Sequence, residues 1–495
     1  MEAAVPVPVH ARDVPALVRV ADAKPGLTMG WFQTARRLKK VSLPPQVGMH
    51  HFQHVDGEEK DRFHLRIEDD GSGFLLLNAN QLFFLNQTAV VMAYLKLHQL
   101  TDDQILKKLL ATYETDKTQM EADLNEFSRI LDSLLHDRDK CPFHDLHLET
   151  IAAKSTLPQA PYRMDLAITY HCNNNCSHCY NARARNHPEL TTEEWKKILN
   201  QLWELGIPHI IFTGGEPTLR KDLPELIAYA ESLGQITGIN TNGRNLKEPA
   251  YVQKLVEAGL DHVQITIESN EPAIHDQMQG VEGAWQDTVM GIKNVVASSL
   301  YLMTNTTMLT LNKETIPATI DFLAEIGVPT IGLNSLIHAG KGKENQNGLS
   351  HEEINTLLEV AKEKTAQTGQ RLIWYTPTQY CHFNPILHGV GAKGCSAAKY
   401  NMCIEPNGDV IPCQSYYAAL GNIQTSAWKE IWHHPLCEAI RNHNLIPDAC
   451  HQCNLLDECG GGCPLAYIDQ AYPEPIPFVD LIPEEMELLC DEIPE

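Results

Sequence analysis

Three cysteines on one short segment are the clearest candidates for metal chemistry. They follow the pattern Cys172-x3-Cys176-x2-Cys179, directly after a predicted strand, and aromatic Tyr180 comes immediately after the third cysteine. Three thiolates on one loop can hold three irons of a [4Fe–4S] cube and leave the fourth iron open. The alternative is a zinc site with a distant fourth ligand, which the preceding strand and the aromatic residue disfavour.

Further polar or glycine-rich motifs stand at the ends of later predicted strands. They are Gly214-Gly215-Glu216-Pro217, Thr241-Asn242-Gly243, Glu268 and Asn334. Paired glycines let the backbone approach a ligand closely, and a carboxylate pairs with an ammonium group. By itself Asn-Gly more often indicates a simple turn, and Asn334 is also consistent with a strand-end cap.

A second group of cysteines lies near the C-terminus. Cys395-x12-Gly408-x4-Cys413 is followed by Cys450-x2-Cys453-x5-Cys459-x3-Cys463, with Cys403 between the first two and Cys490 beyond. The turn residues around Gly408 predict a hairpin that returns Cys413 towards Cys395. Zinc knuckles also use Cys-x2-Cys pairs, so a zinc site is the alternative to iron–sulfur clusters here.

Composition limits the classes of partner and the compartment. The 495 residues include 14 cysteines, none before Cys141, and no export signal or apolar run of about 20 residues is present. We therefore expect a cytoplasmic protein with reduced thiols and no membrane segment. The formal charge of -24 disfavours nucleic acid as a partner, since a polyanion gains nothing from counterion release.

Hydrophobic patterning predicts an α/β protein with flanking domains. Short strands at 63–67, 73–77 and 82–85 precede three helical stretches, which together indicate a winged-helix-like α+β unit. We expect five segments: residues 1–59 without an assigned role, an N-terminal domain at 60–138, a linker at 139–160, a barrel at 161–380 and a cysteine-rich domain at 381–495.

The central segment alternates strands with helices six times. The predicted strands are 166–169, 209–213, 236–240, 263–267, 302–308 and 330–334. Six successive β–α units indicate a parallel sheet, curled or open, whose ligand site lies at the carboxyl ends of its strands. The first cysteine loop and the motifs at 214–217, 241–243, 268 and 334 all fall at such ends.

The cysteine loop and the motifs after it resemble the radical S-adenosylmethionine (SAM) superfamily. The resemblance implies a partial (β/α)6 TIM-type barrel, in which the open iron binds the amino and carboxylate groups of SAM. An electron from the cluster then splits SAM into methionine and a 5′-deoxyadenosyl radical. In the family the GGE motif grips the methionyl ammonium and TNG contacts the ribose. Glu268-Ser269 departs from the family's Asp-Gly, and Asn334 is expected on the adenine side.

The C-terminal cysteines resemble the seven-cysteine SPASM extension, which binds two auxiliary [4Fe–4S] clusters. The resemblance assigns one cluster to Cys395, Cys413 and Cys463. Cys403 is a candidate fourth ligand of this cluster, and otherwise its fourth iron is open. It assigns the other to Cys450, Cys453, Cys459 and Cys490. Three further cysteines fit no ligand spacing and are expected to be core or surface thiols, namely Cys141, Cys381 and Cys437.

Residues 60–138 resemble PqqD-like peptide-recognition elements, which bind a leader peptide as an added strand on a sheet edge. Their 9 Lys and Arg against 13 Asp and Glu argue against phosphate contacts by a winged helix. A simple packing domain is the alternative to peptide recognition.

Together the resemblances imply an enzyme that takes hydrogen from a ribosomally made precursor peptide. The expected product is a thioether or carbon–carbon crosslink or an oxidised side chain, and the expected electron donor is of flavodoxin or ferredoxin type. One alternative is a maturase of a folded protein, of sulfatase or quinohemoprotein type. An alternative of another class is a zinc-binding winged-helix regulatory protein.

Overall fold

The chain is divided into two units in its computed structural model. The structure describes residues 18–19, 43, 45–56, 59–78, 81–136, 149–150, 158–391 and 393–467. One unit spans residues 1–156 with 204–206, and the other spans residues 157–203 with 207–495.

The described part of the first unit contains six strands and three helices. They are β1 (Val18–Arg19), β2 (Gly48–Asp56), β3 (Glu59–Ile67), β4 (Gly73–Leu77), β5 (Gln81–Leu85), α1 (Gln87–Leu97), α2 (Asp102–Thr112), α3 (Lys117–His136) and β6 (Glu149–Thr150). Strands β2 to β5 form an antiparallel sheet in chain order, and β1 pairs with β6 in a separate two-stranded ladder.

Alternation along β3 places its large apolar side chains on the face that the helices cover. Phe63, Leu65 and Ile67 share one core with Ile105 of α2 and Leu124 of α3. The predicted strand at 73–77 and the three helices are present. However, the sheet has four strands where three were predicted, because β2 forms within the segment that had no assigned role.

Strands and helices alternate through most of the second unit. They are β7 (Arg163–Thr169), α4 (Thr192–Glu204), β8 (His209–Gly214), α5 (Leu223–Leu233), β9 (Ile236–Thr241), α6 (Pro249–Glu257), β10 (His262–Thr266), α7 (Pro272–Gln279), α8 (Ala284–Val296), β11 (Tyr301–Thr307), α9 (Ile316–Glu325), β12 (Thr330–Asn334), α10 (Lys341–Glu344), α11 (His351–Thr368) and β13 (Arg371–Trp374). Single 3-10 turns cover Pro217–Leu219, Arg244–Lys247 and Lys313–Thr315.

Strands β7 to β13 are parallel neighbours in chain order, which confirms the predicted α/β fold. Met164, Leu166 and Ile168 of β7 are fully buried, as expected for a strand with helices on one face and other chain on the other. Strand β13 adds a seventh parallel strand beyond the six predicted units.

The cysteine-rich segment extends the same sheet. Its elements are β14 (Asn401–Ile404), β15 (Asp409–Ile411), β16 (Gly421–Asn422), α12 (Trp428–Trp432), α13 (Pro435–Arg441) and α14 (Leu456–Cys459), with 3-10 turns at Asp448–Gln452 and Pro464–Ala466. Strand β14 pairs with β7 in parallel, and β15 and β16 follow as an antiparallel meander. The ten-stranded sheet is therefore open, with β13 and β16 at its edges.

Candidate active site

The first cysteine loop leaves β7 at the carboxyl edge of the sheet, as predicted. Cys172, Cys176 and Cys179 are all partly buried there. Burial raises the pKa of Cys172 to about 11, and it raises the pKa of Cys176 well above its usual value, with Cys179 adding to the rise. Thiols with raised pKa values deprotonate readily only when a metal cation binds the sulfur in place of the proton. The three thiols therefore fit an iron–sulfur cluster, whose binding releases protons.

Helix α7, which the sequence did not predict, holds this loop in place. Gln279 at its C-terminus is 1% exposed, and its carbonyl accepts a hydrogen bond from the Asn175 N–H (2.9 Å). Its side-chain oxygen accepts from the Asn174 amide (2.7 Å) and from the Cys176 thiol (3.0 Å). Gln279 therefore fixes both the backbone and one sulfur of the loop.

The two glycines of the motif after β8 pack directly against the chain that leads into the cysteine loop. Gly214 has φ of +140°, and a Cβ on it would lie 2.0 Å from the Thr169 carbonyl oxygen. A Cβ on Gly215 would lie 2.4 Å from the His171 carbonyl oxygen. Glycine is required at both positions because the two strand ends touch through their backbones.

The Glu216 carboxylate points into the fold and joins two loops. It is fully buried, and burial raises its pKa. One oxygen accepts from the Thr218 hydroxyl (2.6 Å) and from the Thr241 hydroxyl (2.7 Å), and the other accepts from the Asn242 N–H (2.8 Å). The structure thus gives this carboxylate a positioning role between its own loop and the next one.

The motif after β9 connects the site back to the cysteine loop. The Asn242 amide donates to the Asn173 side-chain oxygen (2.7 Å), and its carbonyl accepts from the Thr288 hydroxyl (2.9 Å). Gly243 adopts a left-handed conformation with φ of +78° that starts the turn at Arg244–Lys247. Three strand ends are therefore tied into one network.

Glu268 and Asn334 lie beyond the ends of β10 and at the end of β12, and both are buried. One Glu268 oxygen accepts from the Thr307 N–H (2.9 Å), and the other lies 3.0 Å from His178 Nε2. The Asn334 amide donates to the Ser335 carbonyl (3.0 Å). Among the described residues its side-chain oxygen has no hydrogen-bond partner, so it can accept a bond from a ligand.

Tyr180 and Pro217 complete the predicted set around the first loop. The Tyr180 hydroxyl donates to the Gln414 side-chain oxygen (3.3 Å), directly after Cys413 in the chain. Pro217 opens the 3-10 turn that carries Thr218 to Glu216. Tyr180 therefore contacts the segment that holds the next group of cysteines.

Burial and, after it, the Cys463 thiol raise the pKa of Cys395 and of Cys413, the two other ligands that the resemblance assigns to the cluster of Cys463. Burial raises the pKa of Cys413 to about 12, and Cys463 contributes to that rise. Burial also raises the pKa of Cys395, with Cys463 and Cys413 next in effect. Cys403 is fully buried on β14, where it interacts with Cys413 but packs in an apolar cluster with Ala167 and Ile411.

Cys450, Cys453 and Cys459 form the second group, while Cys490, like Cys141, lies outside the described residues. Burial raises the pKa of Cys459, and Cys450 and Cys453 add to the rise. In the described part of the chain, no three His, Cys, Asp or Glu side chains converge as ligands of a single metal ion. The thiolates of an iron–sulfur cube each bind a different iron and need not converge on one point.

None of the described helices is both long and apolar enough to cross a bilayer.

Cys437, which was predicted to be a core or surface thiol, is buried. Its thiol donates to the Ile431 carbonyl (3.6 Å).

Comparisons with known proteins agree with this geometry. Residues 166–323 match the radical SAM superfamily, and residues 395–454 match SPASM, an iron–sulfur cluster-binding domain. Fe-coproporphyrin III synthase of Methanosarcina barkeri is 30% identical over 364 residues, which cover 67% of this chain and 88% of that protein. PqqA peptide cyclase of Xanthomonas campestris pv. campestris is 30% identical over 321 residues, or 62% and 83% of the two chains.

Solved structures show the same fold. SuiB of Streptococcus suis bound to precursor peptide SuiA has a TM-score of 0.62 at 17% identity, over 83% of this chain and 96% of that chain. SuiB bound to SAM gives 0.60 at 18% identity, over 82% and 95%. The two family matches, together with a relative that is 30% identical over 88% of its length, lead to one conclusion: the chain belongs to the radical SAM superfamily and carries a SPASM iron–sulfur domain.

Proposed function

We propose that this radical SAM enzyme modifies a ribosomally made precursor peptide. The observation that carries the proposal is the hydrogen-bonded network that joins the cysteine loop, the Gly214–Pro217 loop and the Thr241–Gly243 loop through Glu216 and Asn242. Such a network holds a cofactor site rigid before ligands bind, so little ordering is left to be done on binding.

Cys172, Cys176 and Cys179 would hold the SAM-binding cluster. Seven other cysteines would hold the auxiliary clusters, to which the sequence resemblance adds Cys490. Bound there, the SAM-binding cluster would supply the electron that turns SAM into methionine and a 5′-deoxyadenosyl radical, and the auxiliary clusters would accept an electron from the substrate or bind its thiolate. The seven are Cys395, Cys403, Cys413, Cys463, Cys450, Cys453 and Cys459.

The strand ends would position SAM itself. Gly214 and Gly215 let this loop pack against the chain that leads into the cysteine loop, and the Asn334 oxygen is a buried acceptor for an N–H or O–H group of SAM. Thr241, Asn242 and Gly243 lie at the same carboxyl edge of the sheet. Glu268 also lies there, beside His178. These residues bind and orient the ligand and exclude water.

The first unit supports a peptide as the substrate. Its sheet ends in two edge strands, β2 and β5, and an extended leader peptide can add to such an edge as a further strand. The second unit contains 336 of the 495 residues, so the similarity to peptide-bound SuiB over 83% of this chain must reach into the first unit. The relatives named PqqA peptide cyclase also act on a peptide.

A porphyrin is the second candidate substrate. It is favoured by the 30% identity to Fe-coproporphyrin III synthase over 88% of that protein. The four-stranded sheet at residues 48–85 favours the peptide, because its edge strands can take up an extended chain as a further strand. A folded protein is a third candidate substrate.

Membership of the radical SAM superfamily argues against the alternative of a zinc-binding winged-helix regulatory protein.

Anaerobic purification followed by three measurements tests the proposal. We expect about four irons per cluster and about a dozen per chain, with little zinc. With a reductant we expect 5′-deoxyadenosine from SAM. A precursor peptide encoded beside the gene should then lose the mass of two hydrogen atoms per crosslink, by mass spectrometry, and only when SAM is present. Stoichiometric zinc without iron, or turnover of coproporphyrin but of no such peptide, would contradict the proposal.

Peptide capture is tested by removing residues 1–138. We expect the shortened chain to lose affinity for the precursor by at least about 10-fold, measured by fluorescence anisotropy, because the edge strands are gone. SAM cleavage without peptide is the folding control and should persist. Unchanged peptide affinity in a chain that still cleaves SAM would refute the leader-binding role.

A further inference from the structure

The segment that precedes Cys381 lies against the second group of auxiliary cysteines. The Tyr380 N–H donates to Cys459 Sγ (3.3 Å), and the Cys459 thiol donates in turn to the Thr378 carbonyl (3.6 Å). The Gln379 amide donates to Cys450 Sγ (3.3 Å). Three consecutive residues therefore each touch one of these cysteines, which lie about 70 to 80 residues later in the chain.

The backbone next to Cys381 is fixed as well as close. The Tyr380 ring is 4% exposed, and its hydroxyl donates to the Glu458 carbonyl (3.2 Å) and accepts from the Lys393 N–H (3.0 Å). Because Tyr380 is anchored on the residue before Cys459, the position of the following residue is set relative to that cysteine.

Cys381 follows Tyr380 directly, so its backbone begins one residue from the N–H that donates to Cys459 Sγ. Its side chain is exposed, whereas that of Cys459 is buried. Burial raises the pKa of the Cys381 thiol, and Cys459, Cys450 and Cys453 add to the rise, which agrees with this position. The groups that act on the Cys437 thiol are instead Arg441 and Glu438. The hydrogen bonds of residues 378–380 therefore bring Cys381 to the group of three cysteines that spacing in the sequence indicated.

We propose that Cys381 is the fourth ligand of an iron–sulfur cluster bound by Cys450, Cys453 and Cys459, in the place that sequence resemblance gives to Cys490. A cube requires four ligands, and these four thiols are donors that the fold brings together. The N–H groups of Tyr380 and Gln379 would then bond to ligating sulfurs, an interaction that tunes cluster potential. The inference rests on the proposed function, which places a cluster at this group.

The test uses the full-length chain with only the second group able to bind a cluster. Six substitutions remove the other two sites: Cys172→Ala, Cys176→Ala, Cys179→Ala, Cys395→Ala, Cys413→Ala and Cys463→Ala. After anaerobic reconstitution with iron and sulfide, this parent should bind about four irons and give a [4Fe–4S] signal by Mössbauer and EPR spectroscopy. Into it are placed Cys381→Ala, Cys490→Ala and, as the matched control, Cys437→Ala.

We expect Cys381→Ala to lose the four irons or convert the signal to that of a three-iron cluster. Cys490→Ala and Cys437→Ala should match the parent. Retention in Cys381→Ala would overturn the inference, as would loss in both Cys381→Ala and Cys490→Ala, because a four-ligand cube has no place for a fifth cysteine. A parent that binds no iron would overturn the proposal of a cluster at Cys450, Cys453 and Cys459, and the inference about Cys381 with it. A parent that binds iron which Cys381→Ala retains would overturn only the inference.

A second variant guards against a folding defect. Cys381→Ser keeps an oxygen that can ligate iron, so we expect the cluster to remain with an altered EPR spectrum, whereas an unaltered spectrum would count against the inference. In the otherwise unsubstituted chain, Cys381→Ala should lose about four irons yet bind SAM with unchanged affinity. Loss of SAM binding together with full iron content would contradict it.

Discussion

Glu216 shows how one buried side chain organises the site. Its carboxylate accepts hydrogen bonds from Thr218, Thr241 and the Asn242 backbone, so it joins the ends of β8 and β9. An amide in its place would turn one acceptor into a donor and leave one of these buried groups unpaired, which costs about 1–3 kcal/mol.

We therefore predict that Glu216→Gln weakens SAM binding by roughly 10-fold or more, since both loops lose their common anchor. Isothermal titration calorimetry under anaerobic conditions measures the change. The control is Glu225→Gln, because the Glu225 side chain is 57% exposed on α5, where it forms an ion pair with Lys196. Equal affinity in the two variants would rule out the positioning role.

His275 gives the second unit a predictable response to acid. It is fully buried, its Nδ1 accepts from the Glu268 N–H (3.2 Å), and burial lowers its pKa to about 4. The unfolded chain takes up this proton below about pH 6.5, whereas the folded chain does so only near pH 4. Stability is therefore fully present above pH 6.5 and falls as the pH drops towards 4.

We predict that His275→Asn, which keeps an acceptor, makes the stability of the second unit less dependent on pH. Between pH 7.5 and 5 the variant should lose about 2 kcal/mol less than the unsubstituted protein. Denaturant unfolding at both pH values measures this difference. His433→Asn, at an exposed position, is the control. A parallel loss in His275→Asn and the unsubstituted protein would show that another group carries the acid sensitivity.

At this scale the sequence predicted which residues lie together better than how they contact one another. It singled out Glu216 as the partner of a ligand ammonium, which stays a prediction, and the structure adds hydrogen bonds to Thr241 and Asn242. Cys381 fits no ligand spacing, and only the contacts of its neighbours Gln379 and Tyr380 place it beside Cys450 and Cys459. These contacts join segments distant in the chain, which spacing along one segment does not record.

At the scale of elements, helix α7 is the support for the cysteine loop. Its C-cap is Gly280, whose φ is +66°, and a Cβ there would lie 2.4 Å from the Asn175 carbonyl oxygen. Any side chain at this position must therefore push the loop away from Gln279. Gly283, three residues on, has φ of +79° but no heavy atom closer than 3.9 Å to such a Cβ.

These two glycines separate backbone strain from displacement of the loop. Ala in a left-handed conformation costs about 1–2 kcal/mol at either site. We predict that Gly280→Ala in addition lowers the iron content of the first site and cuts SAM cleavage by at least about 10-fold. Gly283→Ala should leave both near normal. Iron analysis and 5′-deoxyadenosine formation measure them, and equal defects would refute a specific role for Gly280.

Most strands and helices of the barrel could be predicted from periodicity and caps. Strand 330–334 matches the structure to the residue, as does strand 73–77 of the first unit, and a capping box of Thr191 and Glu194 opens α4. Strand β2 was missed because its sequence, GMHHFQHVD, alternates histidines with few apolar residues. Helix α7 was missed because eight residues are too few for a clear helical period.

At the scale of the whole second unit, the SPASM segment completes the sheet as well as holding cysteines. Strand β14 pairs with β7 from Arg163 to Leu166, and Met402, Cys403 and Ile404 are fully buried. Without them β7 would present unpaired N–H and C=O groups beside a large apolar surface, which is a template for aggregation.

We predict that a chain ending at residue 380 is insoluble, whereas a chain ending at residue 425, which keeps β14 to β16, stays soluble although it lacks most auxiliary cysteines. Soluble yield and size-exclusion chromatography compare the two. A soluble, monomeric 1–380 chain would show that the sheet tolerates the exposed edge.

The ten strands of this sheet do not close on themselves, because β13 and β16 remain its two edges. In a closed barrel, loops surround the strand-end site on every side. An open sheet leaves one side of that site without such a wall, so under the proposed function an internal residue of a long peptide would reach the strand ends from the side. The distance along the peptide from the bound leader would then decide which residue reacts, whatever its distance from a terminus.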